Sequence, residues 1–525
     1  MDAKGTVLPS GVIYIEKGTI VGVRGASEAR PAGFERAKVH ALDATIFPGL
    51  IELHNHLAYN ILPSWDVPKK FANRDAWGGS AAYQALVTNP MSVIGRTPDL
   101  LPAVVRYVEC KCLVAGVTTS QGIALFSNKG AGRYYRGIVR NVEQTDEAAL
   151  PEAMTRIADV DASDAARFKE RLQRPNCMLL HLSEGIDQAA REHFLALRIS
   201  KEDWAINPNL AGIHCAGCHA EDLKRMQRLG GTMIWSPFSN LLLYGATAKV
   251  EIARDCGLRM GLGSDWSVTG SKNLLGELKV ARLVSRSLGG VFSDEDLVAM
   301  VTRNAAGVLH WQDVLGTLEA GKRADLVAIR GVDAKPYASL LEALENDIEL
   351  VMIHGVPRCG TPKVMSDFDA THERVSIGGE PRALNLKQET ADPVVGKITF
   401  RAARDTMTDA LERLPDLAKK LEAPRMAGPA RVEDPLVWSL ALDEIQPTGM
   451  EIRPRLAAPG ATVRSTGPRL KLRRTADPLS KRVKPTRLDP LTVAEDPSFL
   501  DWVRTQENVP EEIREGLVAA YSRRS

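Results

Sequence analysis

Short apolar runs that end on a histidine or an aspartate recur along the chain, with polar stretches of helical spacing after them. Ile46 to Leu53 leads into His54-Asn55-His56, Cys177 to Leu180 into His181, Leu210 to Ile213 into His214, and Leu258 to Ser264 into Asp265. Each run has the length of a strand, and Ala220 to Leu229 and Leu274 to Leu288 space their apolar residues as helices do. Repeated strand-loop-helix units predict an α/β fold with a parallel sheet. If that sheet closes into a barrel, the ends of all these runs gather at the carboxyl ends of its strands, where such folds carry their chemistry. Upstream, Gly11 to Val23 reads as two strands joined at Lys17-Gly18, a β-hairpin signal. Ser293, with Asp296 three residues on, predicts a capping box before a helix bearing Leu297, Met300 and Val301.

On a strand, the i, i+2 spacing of His54 and His56 puts both imidazoles on one face, and Pro48-Gly49 marks the turn into that strand. Two neutral imidazoles aimed at one point can bind a divalent metal. Alone, the pair fits two polar residues at a strand end equally well. His181, His214 and Asp265, each at the end of a later run, supply the missing partners.

Over roughly residues 10 to 360 the sequence resembles the amidohydrolase superfamily, in its branch of mononuclear-metal deaminases and chlorohydrolases. The resemblance rests on Pro48 to His56, Gly116-Val117-Thr118-Thr119, His181-Leu182-Ser183-Glu184, Ile213-His214-Cys215, Ser236-Pro237-Phe238-Ser239-Asn240, Gly263-Ser264-Asp265 and Leu315 to Leu326. It implies a (β/α)8 TIM-type barrel at residues 49–310. A small composite β-sandwich would take strands from residues 1–48 and returning strands from 311–375, with Ala324 to Ile329 and Ile348 to Ile353 as mates. Residues 376–525 would be a C-terminal extension, partly linker and partly helical.

The resemblance further implies that His54, His56, His181 and Asp265 hold one divalent metal, zinc as first choice and iron as second, whose water is acidified to a pKa of about 7. Asp265 would also accept a proton, Glu184 would carry protons to the substrate, and His214 would hydrogen-bond the attacking oxygen. In binuclear relatives His214 would be a ligand and a carboxylated lysine would bridge the metals. The candidate strand Gly137 to Glu143 offers Glu143 but no lysine, which favours one metal. The expected reaction is hydrolysis of a carbon-nitrogen bond other than a peptide bond, releasing ammonia from a cyclic amidine or related heterocycle. Hydrolysis of a cyclic amide or imidazolone ring is the enzymatic alternative, and an inactive barrel scaffold is the non-enzymatic one, although scaffolds usually lose ligands that this chain keeps.

Substrate choice is expected in the loop after the first strand, where Tyr59, Asn60, Trp65, Arg74, Trp77 and Tyr83 cluster in a chain with only 5% aromatic residues. That loop reads as a lined pocket or lid, or else as a small satellite core. Asn240 belongs to the expected substrate contacts, as do Trp235, standing where many ring deaminases carry a histidine, and Trp266, beside Asp265. The two tryptophans point away from a standard nucleobase.

The composition fits this enzymatic reading. A chain of 525 residues with 44% hydrophobic content can build two or three domains, and a net charge of +2 gives no global attraction to nucleic acid or membrane. Seven cysteines, few and odd in number, are expected to be reduced in a cytoplasmic protein, and no apolar run is long enough to span a membrane. Cys215-Ala216-Gly217-Cys218-His219 matches the pattern of c-type haem attachment, but no signal peptide accompanies it. His219-Ala220-Glu221 echoes the cytidine-deaminase zinc signature with its parts in reverse order, so buried thiols are the expectation for Cys215 and Cys218.

In the extension, Thr406 to Leu421 has helical spacing, and Pro454 to Pro490 is rich in proline and in basic residues, including Arg469, Lys471, Arg473, Arg474, Lys481, Arg482 and Lys484. The basic stretch reads as a solvated linker before nucleic acid or an acidic partner is considered. Phe499 to Tyr521 reads as helical, docking on the barrel or on a second copy in a homo-oligomer.

Overall fold

Alternating residues from Gly11 onward form an antiparallel hairpin in the computed structural model of the chain, β1 (Gly11–Glu16) with β2 (Thr19–Gly25). Lys17 and Gly18 turn it with positive φ at both positions, 49° and 78°, as a two-residue turn between right-twisted strands requires. The structure describes residues 1–370, 372–388, 392–423, 435–442 and 477–522.

The apolar run that leads to His54 is divided between two sheets. β3 (Ala44–Pro48) belongs to an antiparallel sheet, and β4 (Leu50–Glu52) lies parallel to β5 (Val117–Ser120). Gly49 is the joint, because a Cβ there would fall 2.3 Å from Thr118 Oγ1. After β5 the chain makes a short antiparallel pair, β6 (Ala124–Ser127) with β7 (Gly132–Tyr134), and returns as β8 (Arg140–Asn141), parallel to β5. The strand expected over residues 137–143 is thus confined to two residues.

A second parallel layer contains β9 (Met154–Arg156), β10 (Met178–Leu182), β11 (Leu210–His214), β12 (Thr232–Trp235) and β13 (Met260–Leu262), neighbours in chain order. Every residue of β10 to β13 is buried, which is why these strands read as unbroken apolar runs rather than alternating ones. Helices Ala220–Arg228 and Leu274–Ser287 lie where their spacing predicts, and Ser293 and Asp296 form the expected reciprocal cap.

The antiparallel sheet is completed by β14 (Leu326–Arg330), β15 (Ile348–Ile353), β16 (Val356–Gly360), β17 (Glu373–Ile377) and β18 (Glu380–Leu384), in the order β17-β18-β16-β15-β14-β3. Two expectations change here. The sheet continues to Leu384, past residue 375, and β1–β2 forms its own sheet instead of pairing with β14. The hairpin attaches through Ile20, whose N–H donates to Lys322 O (2.8 Å) and whose side chain is buried among Leu326, Leu350 and Met352.

β19 (Trp438–Leu440), from the extension, adds to β6 as a third antiparallel strand. The helical run expected over residues 406–421 is two helices, Phe400–Glu412 and Leu414–Glu422, because Pro415 can sit in the first turn of a helix but not in its middle. The last helix, Glu511–Ser522, packs on Leu274–Ser287 and buries Ile513, Leu517 and Tyr521. Arg469, Lys471, Arg473 and Arg474 lie outside the described residues, and Lys481, Arg482 and Lys484 are exposed. No helix among the described residues is long and apolar enough to cross a membrane.

Since Gly49 N donates to Asp325 O (2.9 Å) on one side of the joint and the backbone enters β4 on the other, a side chain there cannot be absorbed by a local shift. Gly49→Ala is therefore expected to lower unfolding free energy by about 1–3 kcal/mol in urea titrations, with an unchanged slope.

Candidate active site

His54 and His56 follow β4, His181 lies in β10, His214 ends β11 and Asp265 follows β13, so five sequence positions meet at one end of the parallel strands. Ligand atoms of His54, His56 and Asp265 lie within 4.8 Å of one another, as do those of His54, His181 and His214. His54 Nε2 stands 3.2 Å and His56 Nε2 3.4 Å from Asp265 Oδ1. Gly263 permits this approach, since a Cβ there would fall 2.4 Å from His54 Cβ. Ser183, His214 and Asp265 bend the strand ends with φ of 49°, 69° and 65°. Such left-handed geometry in non-glycine residues costs about 1–3 kcal/mol each and persists where surrounding structure enforces it.

Hydrogen bonds fix what each imidazole can offer. Gln121 Oε1 accepts from Asn55 N (2.8 Å), and Gln121 Nε2 donates to Thr155 Oγ1 (3.1 Å), so the amide oxygen is the atom that faces His54 Nδ1 at 3.2 Å. Nδ1 must carry the proton, and Nε2 turns a lone pair to the centre. His214 has the opposite arrangement. Trp235 Nε1 donates to Thr247 Oγ1 (2.7 Å), Thr247 Oγ1 donates to Asn240 Oδ1 (3.4 Å), and Asn240 Nδ2 donates to His214 Nδ1 (3.2 Å). That leaves the proton on His214 Nε2, which is 3.7 Å from Glu184 Oε2.

The electrostatics suit a cation. Burial would raise the Asp265 carboxyl, but positive charge on the imidazoles of His54, His56 and His214 would hold it well below the usual carboxylate range, a charge that a bound cation would supply where those rings are neutral. Burial pushes His181 far below its ordinary value and His214 down to about 4. Among the described residues, His54 Nε2 and Asp265 Oδ1 are buried without a hydrogen-bond partner, a costly state that a bound divalent ion would relieve. Ser239 Oγ donates to Asp265 Oδ2 (2.7 Å) and keeps Oδ1 turned inward.

Glu184 is held from both sides. Tyr244 Oη donates to its Oε1 (2.7 Å), Trp77 Nε1 donates to Tyr244 Oη (2.8 Å), and Arg74 Nη1 lies 3.7 Å from Oε2. A cavity of about 250 Å³ reaches Arg74 but not Glu184, and it is lined by His56, Tyr59, Arg74, Gln121, Arg156 and His181. Of the residues expected to contact substrate, only Tyr59 and Arg74 reach it. Trp65 and Trp77 pack with Tyr83 in a buried aromatic cluster, so this part of the loop is core and not lid. Asn60 links Asn55 Oδ1 to Ser267 N, Trp235 and Asn240 act on His214, and Trp266 lies tilted beside His56, ring centres 5.1 Å apart, without lining the cavity.

Gln121, Ser239 and Tyr244 escape sequence reasoning. Gln121 follows the end of β5, as His54 follows β4, and that position was a usable signal. Tyr244 carries none, because it reaches Glu184 from the last turn of the helix Pro237–Tyr244. Ala441, just past β19, also lines the cavity. Glu143 does too, but it accepts from Gly122 N (2.8 Å) and Thr155 Oγ1 (2.7 Å) and is no part of the imidazole cluster.

A sequence profile described as the Amidohydrolase family matches residues 179–358, the span that contains His181, Glu184, His214 and Asp265. Over that span the chain is similar to amidohydrolases, and its relatives include deaminases and a triazine hydrolase. Among its relatives, a 5-methylthioadenosine/S-adenosylhomocysteine deaminase of Moorella thermoacetica is 24% identical over 395 residues, 67% of this chain and 90% of that protein. An S-triazine hydrolase of Gordonia rubripertincta is 25% identical over 187 residues, 34% of this chain and 39% of that one. Among solved structures, an atrazine chlorohydrolase of Arthrobacter aurescens TC1 complexed with zinc aligns with a TM-score of 0.51 at 20% identity, covering 66% of this chain and 90% of that chain. At that identity the likeness speaks for the fold alone.

Beneath the site, burial pushes the Glu277 carboxyl up to about 8 despite bonds from Ser271 Oγ and Phe238 N. A carboxyl raised above its unfolded value favours the fold while protonated, and that stability is lost as pH rises from about 4.5 to about 8. Glu277→Gln mimics the protonated form. Its melting temperature is expected to gain on wild type by several degrees across that interval and to differ little at pH 5, as scanning calorimetry in a pH series would show.

Proposed function

We propose that this enzyme is a mononuclear-metal aminohydrolase of the cytoplasm that acts on a small cyclic amidine or related heterocycle and releases ammonia. Two overlapping triads, His54 with His56 and Asp265 and His54 with His181 and His214, support the reading, with His54 Nε2 and Asp265 Oδ1 buried and without a hydrogen-bond partner. His54, His56, His181 and Asp265 would hold the metal, with zinc as first choice. When bound, the metal supplies a water acidic enough to lose a proton near neutral pH, with a pKa of about 7.

Asp265 takes that proton, its Oδ1 already facing the centre, while His214 Nε2–H steadies the oxygen that adds to the ring carbon. Protonated Glu184, turned inward by Tyr244 and Arg74, would give its proton to the ring nitrogen; the proton held by Asp265 would pass to the amino group, and Glu184 would recover a proton from the added hydroxyl as the carbon-nitrogen bond breaks and neutral ammonia leaves. Because Asn240 takes up His214 Nδ1 and its Nε2 carries a proton, His214 serves as donor and not as ligand, which favours one metal over two. Tyr59 and Arg74 bound the substrate cavity.

The same proposal closes the two parallel layers into an eight-stranded barrel. Ala153 N donates to Val142 O (2.7 Å) between β8 and β9, and Asp265 N donates to His54 O (2.9 Å) between the ends of β13 and β4, so the bonding runs from β4 round to β13 and back. Residues 49–310 would be the barrel and residues 1–48 and 311–384 the flanking sandwich. Seven free thiols suit a reducing compartment.

Protein purified without added metal is expected to carry about one divalent ion per chain by mass spectrometry, lost in the His54→Ala, His56→Ala double variant. Glu184→Gln should keep the ion and lose ammonia release from a panel of heterocyclic amines by about 100-fold or more. A Glu184→Gln variant with full turnover would refute the proton-transfer role, and about two ions per chain would refute the mononuclear centre.

A further inference from the structure

The loop after His56 and the loop after Asp265 converge on a side chain from the far end of the chain. Asp489 is fully buried and gives one carboxylate oxygen to each of two buried ammonium groups, Oδ2 to Lys111 and Oδ1 to Lys272. Lys111, on the helix Leu101–Val114, donates to Asn60 O (3.0 Å). The Asp489 backbone binds the same region, since its N–H donates to Ile61 O (3.0 Å) and its carbonyl accepts from Tyr107 Oη (2.6 Å). Lys272 closes the other loop with φ of +75°, a conformation that a lysine holds only under outside restraint.

Both loops are then tied to each other through Asn60. Its Nδ2 donates to Asn55 Oδ1 (2.9 Å), between His54 and His56, and its Oδ1 accepts from Ser267 N (2.7 Å), two residues past Asp265. Ser267 Oγ donates back to Leu62 O (2.7 Å). Without Asp489, the two buried ammonium groups would keep, among the described residues, Asp496 Oδ2 at 4.0 Å from Lys272 as their carboxylate. Removing one partner of a buried ion pair is strongly destabilising, and the segments that would yield are the loop Lys111 holds at Asn60 O and the loop Lys272 closes.

We propose that Asp489 is a positioning residue for the metal centre: the C-terminal extension sets the separation between the His54/His56 pair and Asp265 through Lys111, Lys272 and Asn60. The proposal rests on the metal site assigned above. It makes the extension a working part of the centre and not only a cover for the barrel.

The test is zinc affinity of the apoprotein, titrated against a chromophoric chelator, for wild type, Asp489→Asn and Leu517→Ala. Leu517 is buried in the last helix, which packs on Leu274–Ser287, and it takes part in none of these hydrogen bonds or ion pairs, so its truncation loosens the extension without removing them. Asp489→Asn is expected to weaken zinc binding about 10- to 100-fold while Leu517→Ala, at a comparable loss of melting temperature, stays within about twofold of wild type. Wild-type affinity in Asp489→Asn, or equal weakening in both variants, overturns the proposal. If Asp489→Asn fails to fold, Lys111→Met, which leaves Asp489 paired with Lys272, is judged by the same two outcomes. Wild-type protein that takes up no zinc, or a His54→Ala, His56→Ala variant that binds it as well, overturns the assigned metal site and this proposal with it.

Discussion

A carboxylate cut off from water and facing imidazoles at hydrogen-bond range needs positive charge opposite it. Asp265 is in that position, and much of the surrounding structure exists to keep it there. Ser239 holds its outer oxygen, Gly263 lets its strand pass close to His54, and Glu52 accepts from Ser264 N (3.0 Å) and Oγ (2.6 Å) to lock that strand to β4. Burial pushes Glu52 up to about 7. The protein thus places a second buried carboxyl beneath the first and satisfies it with donors, while the first is left open toward the centre.

Amide side chains divide the histidines into two kinds. Gln121 presents oxygen to His54, and Asn240 presents nitrogen to His214, so one ring offers a lone pair and the other a proton. The orientation of each amide is fixed by a further partner, Thr155 in one case and Thr247 in the other. This separation makes a hydrolytic centre with one ion and one hydrogen-bond donor a coherent reading. Tyr244 performs the comparable task for Glu184, and the indole of Trp77 anchors Tyr244.

The extension is woven into this arrangement at several points. β19 extends the β6–β7 sheet beside the cavity, Ala441 forms part of its wall, and Asp489 pairs with Lys111 and Lys272, beside the loops after His56 and Asp265. A chain whose family profile matches only residues 179–358 therefore completes its site with residues well outside that span.

What the sequence determined by itself is local. Strand-length apolar runs, a Lys-Gly turn, a Ser-Asp cap and histidines at run ends are each decided by neighbours in the chain, and β1–β2, the helices Ala220–Arg228 and Leu274–Ser287, and the places of His54, His181, His214 and Asp265 at or just past strand ends were legible for that reason. Period and chemical type do not say which atoms touch across long separations. The sequence could not tell that the tryptophans after the first strand pack into core, that Trp235 steers His214 from a distance, or that Gly49 divides one apolar run between two sheets. Those outcomes depend on which buried polar atoms find partners once the chain is closed, and only the tertiary structure, by setting those distances, decided them.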